Sequence, residues 1–444
     1  MKTKISQKPF DLAKIKKVHF IGIGGIGMSA IARMMLHEGK EVTGSDRAES
    51  EIIDSLRKIG VRIAIGHRAE NFEHDTDLVV YSVAITDYDQ NNPELLHARE
   101  QGVTALTYPQ FVGEISKNKF TIAISGTHGK TTTTAMIAKI LIDAGLDPTV
   151  IVGSLIKTAS GERTNFVAGK SKYLVIEACE YKRSFLQYHP QILVITNIDN
   201  DHLDYYKDVA DIQSAFAELA ERVPQDGFVV TDKNNSAILP VLKKVSAKIT
   251  NYSLYEKTPF QLKTPGLHNR KNAAAAFAVA LALGIPPKVA QTSLESFAGT
   301  WRRFEYKGVT KNGAKVYDDY GHHPTEIKAT LQGAREIYAR ERLIVAFQPH
   351  LYSRTKLLLE DFAGAFELAD EVIIAPIYAA REIDDGSVSS DLLAAKISAK
   401  DKFTKSLHSL KEVENYLSNG SKKGDVIIVM GAGDIYTVAD KIVV

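Results

Sequence analysis

Ser125-Gly-Thr-His-Gly-Lys-Thr-Thr stands between an apolar run at residues 120–125 and a helical pattern at 130–144, the setting a phosphate loop requires. Glycines let backbone N–H groups approach phosphate oxygens, and a helix N-terminus adds a favourable dipole. Lys130 can reach the β- and γ-phosphates of a nucleoside triphosphate, and the Thr131 hydroxyl can bind Mg²⁺. Gly126, Thr127, His128, Gly129 and Thr132 complete the candidate ATP loop. The usual spacing puts four residues between the two glycines, whereas Gly126 and Gly129 have two between them. That departure points to a particular subfamily. His128 lies inside the loop, where a conformational role is the simpler expectation.

A second glycine loop lies near the start of the chain. His19-Phe-Ile-Gly-Ile-Gly-Gly-Ile-Gly-Met-Ser follows an apolar run at 18–23 and opens a helical pattern through Ile31, Met34 and Met35. Gly22, Gly24 and Gly27 match G-x-G-x-x-G, which makes room for a diphosphate at the helix N-terminus. Asp46 follows at the end of the next expected strand, where an acid can bind a ribose hydroxyl. Alone this pattern suggests a dehydrogenase. Beside an ATP loop, it fits a second nucleotide carried as the handle of a substrate.

The rest of the chain repeats strand–helix units. Strands are expected at 41–44, 77–83, 173–176, 192–196, 343–347, 371–375 and 425–430, with an alanine-rich helix at 272–283 stopped by Gly284-Ile-Pro-Pro. Such alternation favours parallel sheets covered on both faces. At 444 residues the chain calls for several domains. Boundaries are expected near 115 and 300, giving domains 1–115, 116–300 and 301–444. Trp301 is expected to bury at the start of the third domain, and Tyr181, Tyr188, Tyr205 and Tyr206 to pack or line a rim. A net charge of +2 and the lack of a long basic run give no reason to expect nucleic acid. The single cysteine, Cys179, fits a reducing cytosol. The N-terminal residues 1–17 lack a secretory signal, and no apolar run approaches the roughly 20 residues of a membrane span. A cytoplasmic protein is expected, without integral membrane association.

Acids cluster after two further strands. Glu177 follows the run at 173–176, and the run at 192–196 leads through Asn197 to Asp201-His202-Leu-Asp204. Mg²⁺ prefers hard oxygen ligands and keeps waters and substrate phosphates, so Glu177 with Thr131 supplies part of such a shell.

With both loops placed, the sequence resembles the Mur ligase family across essentially its whole length. The motifs are the short Gly126-Thr-His-Gly-Lys-Thr-Thr loop, Ile21-Gly-Ile-Gly-Gly-Ile-Gly-Met-Ser, Arg302-Arg-Phe-Glu, Asp318-Asp-Tyr-Gly-His-His-Pro-Thr-Glu and Phe347-Gln-Pro-His. The last two are similar to the alanine-adding branch. The resemblance implies an α/β protein with a Rossmann-like UDP-binding N-terminal domain, a P-loop ATPase-like central domain and a Rossmann-like C-terminal domain that closes over both. It implies ATP and Mg²⁺ as cofactors, UDP-N-acetylmuramate and L-alanine as partners, and a monomer or homodimer. Lys130, Glu177, His202, Arg303 and Asp319 are its catalytic residues, and Thr131, Glu177 and His202 its metal ligands. His268, Asn269 and Asn272 lie on its adenine side, with Arg303 and Asp319 reaching ATP. Gly24, Gly25, Gly27, Met28, Ser29, Asp46, His67 and Ser82 belong to its UDP-substrate site. His322, His323, His350 and Arg354 face the reacting carboxylate or the amino acid, although spacing alone allows one of the adjacent pair His322 and His323 to do so.

The chain departs from the family at three points. Cys179 stands where many relatives have aspartate and is expected to pack. Leu351 follows His350 where many alanine-adding members carry a basic residue. There is no counterpart of the carbamylated lysine of some sister ligases. Addition of a recycled tripeptide, a nicotinamide-dependent oxidoreductase using the first loop, and an ATP-gated binding protein remain the alternatives. A cyanophycin or folylpolyglutamate ligase leaves the first loop and Asp319-Tyr-Gly-His-His unexplained.

Overall fold

The structure, a computed structural model, describes residues 11–89, 91–157, 163–202, 205–380, 382–400 and 402–444. Residues 1–10 of the N-terminal segment, and Asp204 of the acidic cluster, lie outside these. Three sheets organise the chain, each with helices over a mainly parallel array of strands. It divides into two compact units, Met1–Lys257 with Ala274–Ser293, and Thr258–Ala273 with Leu294–Val444.

The first unit holds two sheets. One comprises β1 (Lys17–Ile21), β2 (Glu41–Asp46), β3 (Arg62–Ile65), β4 (Leu78–Tyr81) and β5 (Thr104–Thr107), all parallel in the order β3-β2-β1-β4-β5. Strand β1 is buried along its whole length, as a central strand covered on both faces must be. The chain leaves it at Gly22 with φ 80°, a conformation glycine adopts at no steric cost. It then enters the helix Ile26–His37.

The other sheet comprises β6 (Phe120–Ser125), β7 (Thr149–Lys157), β8 (Arg163–Val167), β9 (Tyr173–Glu177), β10 (Ile192–Ile195), β11 (Phe228–Thr231) and β12 (Lys248–Asn251). Its order is β12-β11-β10-β6-β9-β7-β8, and only the β7–β8 hairpin is antiparallel. Strands β9, β6 and β10 are adjacent and parallel, so their C-terminal ends deliver the phosphate loop, Glu177 and Asn197 to one edge.

The second unit carries β13 (Glu305–Val309), β14 (Lys315–Asp319), β15 (Leu343–Phe347), β16 (Glu371–Ile374), β17 (Phe403–Ser406) and β18 (Val426–Met430). The order is β13-β14-β18-β15-β16-β17, with β13 antiparallel at one edge. Strands β15 and β18 are buried throughout, with separate apolar clusters on the two faces of the sheet.

The alanine-rich helix runs Leu267–Ala282, beginning five residues before the expected start. Its first turn, with His268, Asn269 and Arg270, is polar and reads as loop in sequence. Ala273, Ala274, Ala275 and Ala276 are fully buried, consistent with a close-packing helix face. Trp301 is half-buried, its ring 5.9 Å from that of Tyr436. Tyr188 and Tyr206 are buried and Tyr205 is exposed at the rim.

Candidate active site

Among the described residues, both glycine loops open helices whose N-cap residue, a glycine, offers no side-chain cap. The helices Ile26–His37 and Lys130–Asp143 start from Gly25 and Gly129 without a side-chain hydrogen bond to the first turn. By contrast, the helices starting at Glu51, Val209, Ser390 and Leu410 have Ser50, Asp208, Ser389 and Ser409 accepting from the first turn. A helix N-terminus leaves backbone N–H groups unsatisfied, and an anion can serve as the missing cap.

The phosphate loop is held from one side by the chain that follows β10. Asn197 Oδ1 accepts from His128 N at 3.0 Å, and Asn197 Nδ2 donates to His128 O at 3.0 Å. Thr196 Oγ1 donates to the same carbonyl at 2.6 Å, and His128 Nε2 meets Asp199 Oδ2 at 3.0 Å. His128 is thereby fastened to the loop scaffold. Gly126 has φ 124°, and a Cβ there would stand 2.1 Å from Thr196 Oγ1. No other residue fits.

The other side carries the charge. Lys130 Nζ donates to Gly126 O at 2.5 Å and Thr127 O at 3.1 Å, and pairs with Glu180 Oε2 at 3.0 Å. Burial works against its charge, but the carboxylates of Glu180 and Glu177 outweigh burial and hold the ammonium above its ordinary value. Thr131 Oγ1 donates to Glu177 Oε2 at 3.2 Å, while Glu177 Oε1 accepts from Gly153 N at 2.7 Å. His202 takes up a left-handed conformation, φ 56°, that places Nε2 4.0 Å from Glu180 and its ring 4.9 Å from that of Tyr181. A non-glycine residue at positive φ is uncommon and is retained where its surroundings fix it. Glu180, buried at 2%, thus stands between Lys130 and His202, and Tyr206 donates to its backbone carbonyl. Cys179, expected to pack, instead has exposed surface; surrounding protein and the Glu180 carboxylate push its thiol up to about 11. The packing expectation fails because Cys179 lies in the turn beyond β9, where the chain has left the sheet.

In the first loop, Asp46 Oδ2 accepts from Gly24 N at 2.8 Å, so this carboxylate braces the loop itself. Met28 and Ser29 are buried, and Ser29 Oγ donates to Ile26 O at 3.0 Å, which leaves the backbone of this turn as its polar face. A Cβ on Gly27 would stand 2.7 Å from the Tyr108 ring. Ser82 N-caps the helix Val83–Tyr88. His67 Nδ1 lies 3.0 Å from Ser45 Oγ and 3.4 Å from Glu94 Oε1. Glu94 is fully buried and also meets His19 Nε2 at 2.9 Å, Ser45 Oγ at 2.7 Å and Asn71 Nδ2 at 2.8 Å. Burial alone would push its carboxyl up, but hydrogen bonds from His19 and His67 hold it down at about 2. The sequence gives no sign of this network, because Glu94 reads as an ordinary helical acid after Pro93.

The second unit gathers its own candidates. Arg302 is buried, with Nε 3.1 Å from Asp318 Oδ2 and donations to Gly431 O and Gly433 O, so it clamps the sheet edge. Arg303 is more open, lying over the Tyr320 ring and 3.7 Å from Glu326 Oε1. Asp319 is buried and accepts from Phe304 N and Gly321 N, both at 2.8 Å; burial raises its carboxyl while Arg303 opposes. Burial and Arg303 push His268 down to about 4. Asn269 Nδ2 donates to Pro265 O at 2.7 Å, and Asn272 is buried on the same helix. His323 N-caps the helix Pro324–Ile337 through Thr325 N, a capping role that turn residues often take. His322 faces His350, ring centroids 5.8 Å apart, and His350 stacks on Tyr378 at 5.6 Å with Nδ1 3.2 Å from Arg354 Nη1. Tyr378 is absent from the sequence-based candidates, having no motif around it. Leu351 holds φ 70° and donates its N–H to Tyr378 O at 2.9 Å.

Parallel α/β sheets with a lysine-bearing loop of phosphate-loop type and a second glycine loop opening a helix are the architecture of a nucleotide-dependent enzyme. Three family descriptions match the chain in order: "Mur ligase family, catalytic domain" over 17–120, "Mur ligase middle domain" over 124–261 and "Mur ligase, glutamate ligase domain" over 302–433. The UDP-N-acetylmuramate–L-alanine ligase of Clostridium tetani is 43% identical, covering 97% of this chain and 99% of the relative. The crystal structure of the UDP-N-acetylmuramate–alanine ligase from Thermotoga maritima aligns with TM-score 0.78 at 31% identity, covering 96% of this chain and 98% of that one. A murein peptide ligase from Psychrobacter arcticus aligns with TM-score 0.69 at 26% identity, covering 97% and 100%. The chain belongs to the Mur ligase family, whose members are ATP-dependent. Among the described residues, no helix is long and apolar enough to cross a membrane.

Proposed function

We propose that this protein joins L-alanine to the lactyl carboxylate of UDP-N-acetylmuramate at the expense of ATP, in the cytoplasmic synthesis of peptidoglycan precursors. The observation that carries the proposal is the pairing of Lys130, Thr131 and Glu177 around one uncapped helix with a separate diphosphate-type loop. We place the domain boundaries near residues 115 and 300, and we assign the second unit's cluster of His322, His350 and Arg354 to the amino-acid side.

A carboxylate is a poor electrophile, which is the chemical reason for ATP. The lactyl carboxylate oxygen attacks the γ-phosphorus and ADP leaves; the uncharged amine of alanine then attacks the acyl carbon, loses a proton, and phosphate departs. Lys130 exchanges its Glu180 partner for the transferring phosphoryl oxygens, and its fixed charge offsets the charge that spreads over them. The hydroxyl of Thr131 and the carboxylate of Glu177 are hard oxygen donors in contact, a set that suits Mg²⁺, with His202 nearby. Bound there, the ion would neutralise negative charge on the nucleotide's phosphates. Asn197 and Asp199 keep the loop open to the nucleotide by fixing His128.

The test is phosphate release from ATP with Mg²⁺ and UDP-N-acetylmuramate, screened against amino acids and the murein tripeptide. Release that needs both the UDP-sugar and L-alanine supports the proposal. Release only with the tripeptide moves the activity to the recycling reaction, and no release with any pairing refutes a ligase.

A further inference from the structure

The β7–β8 hairpin touches both nucleotide sites. Ile151 pairs with Phe166 and Ile156 with Thr164, so residues 152–155 of β7 stand opposite Asn165 alone. The register shifts there by an extended, bulge-like insertion, which re-aims the chain. Gly153 lies in it and donates its N–H to Glu177 Oε1, and a Cβ on Gly153 would stand 2.6 Å from Glu177 Oε2. The bulge therefore sets the position of the carboxylate that meets Thr131.

On the opposite strand, Asn165 is only 2% exposed and reaches the helix of the first loop. Its Nδ2 donates to Ile26 O at 2.6 Å and to Ser29 Oγ at 2.8 Å. The Ser29 hydroxyl already donates to Ile26 O, so it can only accept from Asn165, which fixes the orientation of the amide. Among the described residues, the buried amide oxygen, Oδ1, meets no hydrogen-bond donor. A buried acceptor in that condition is destabilising, and a small shift of bulge or helix that brings it an N–H is favoured. The two sites are also close: the Tyr108 ring lies against Gly27 and feels the charge of Glu177, which adds to burial in raising its phenol.

We propose that Asn165 is a positioning residue that couples the two nucleotide sites, tying the first turn of the diphosphate helix to the bulge that aims Glu177. The inference rests on the function proposed above. Occupation of the first loop moves the helix turn and, through Asn165 and the bulge, settles Glu177 toward Thr131. Linkage then requires that each nucleotide tighten the other by the same factor.

The experiment is calorimetric binding of UDP-N-acetylmuramate with and without the non-hydrolysable analogue AMP-PNP and Mg²⁺, and the reverse titration. The wild type is expected to show mutual tightening of about tenfold. In Asn165→Ala each ligand alone binds nearly as before and the factor falls toward one. Asn165→Asp, which keeps the shape but cannot donate to Ile26 O, behaves the same and carries the comparison if Asn165→Ala does not fold. A factor unchanged in these variants, or a wild-type factor of one, overturns the coupling while leaving the ligase intact. Failure of the wild type to bind UDP-N-acetylmuramate overturns the proposed function, and this inference with it.

Discussion

Replacing Glu180 by glutamine removes the carboxylate that holds Lys130 and changes little else in shape. Breaking a buried ion pair by deleting one partner costs about 3–5 kcal/mol, because the other charge is left uncompensated. Here the Lys130 side chain is 16% exposed and keeps the carbonyls of Gly126 and Thr127. The expected loss is therefore smaller, about 2 kcal/mol. For a domain of this size that corresponds to roughly 4–8 °C in the melting temperature. With AMP-PNP and Mg²⁺ bound, phosphate oxygens replace the carboxylate as the counter-charge, and the deficit should shrink to about half or less. Thermal unfolding of Glu180→Gln and wild type, each with and without the nucleotide, measures both quantities. An unligated variant as stable as wild type, or a deficit that nucleotide does not reduce, would show that Lys130 does not exchange Glu180 for phosphate.

Lys130→Ala should lower phosphate release by at least about 100-fold while UDP-N-acetylmuramate binding stays nearly intact; loss of both together would mean that the two nucleotide sites are not separate. Gly126→Ala forces a Cβ into Thr196 Oγ1 at a backbone angle that side chains rarely adopt. ATP affinity by calorimetry should fall tenfold or more, about 1.4 kcal/mol. Glu94 is held down at about 2 against an ordinary 4.5, so the stability it contributes is full above about pH 4.5 and is lost as pH falls toward 2. Glu94→Gln should cost about 2–3 kcal/mol at neutral pH, with the gap to wild type closing across that acid window in denaturant titrations. A gap independent of pH would mean that the carboxylate's charge contributes nothing.

The strands legible in the sequence are those the fold buries on both faces. Phe120–Ser125 and Leu343–Phe347 were readable to the residue, because a strand between two neighbours is almost uniformly apolar. The strands that escaped notice include the edges and outer members: Arg62–Ile65, Lys248–Asn251 and Phe403–Ser406 are half-exposed, and their short mixed sequences look like loop. The Arg163–Val167 strand is hidden for the same reason, although it carries Asn165. Helix starts were harder still where the first turn is polar, as at Leu267, and the periodic signal begins only with the alanines.

The same physics divides the candidate site. Residues adjacent to a glycine loop could be read off, since the loop's own spacing dictates what Lys130 and Thr131 can reach. The groups that hold them come from far along the chain: Glu180 is 50 residues from Lys130, Asn197 69 from His128, and Glu94 75 from His19. No local pattern relates such pairs; adjacent parallel strands that end at one sheet edge bring the first two together, and the helix Pro93–Glu100 packed on the first sheet brings the third. Glu180 nonetheless left a trace, a second acid three residues after Glu177 in the same post-strand turn. An acid in that place meets the ammonium of the loop lysine at 3.0 Å, the counter-charge we assign to Lys130 before a nucleotide arrives. A phosphate loop should therefore be read together with every acid that follows the neighbouring strands, because a lysine poised for an anion needs one nearby while the site is empty.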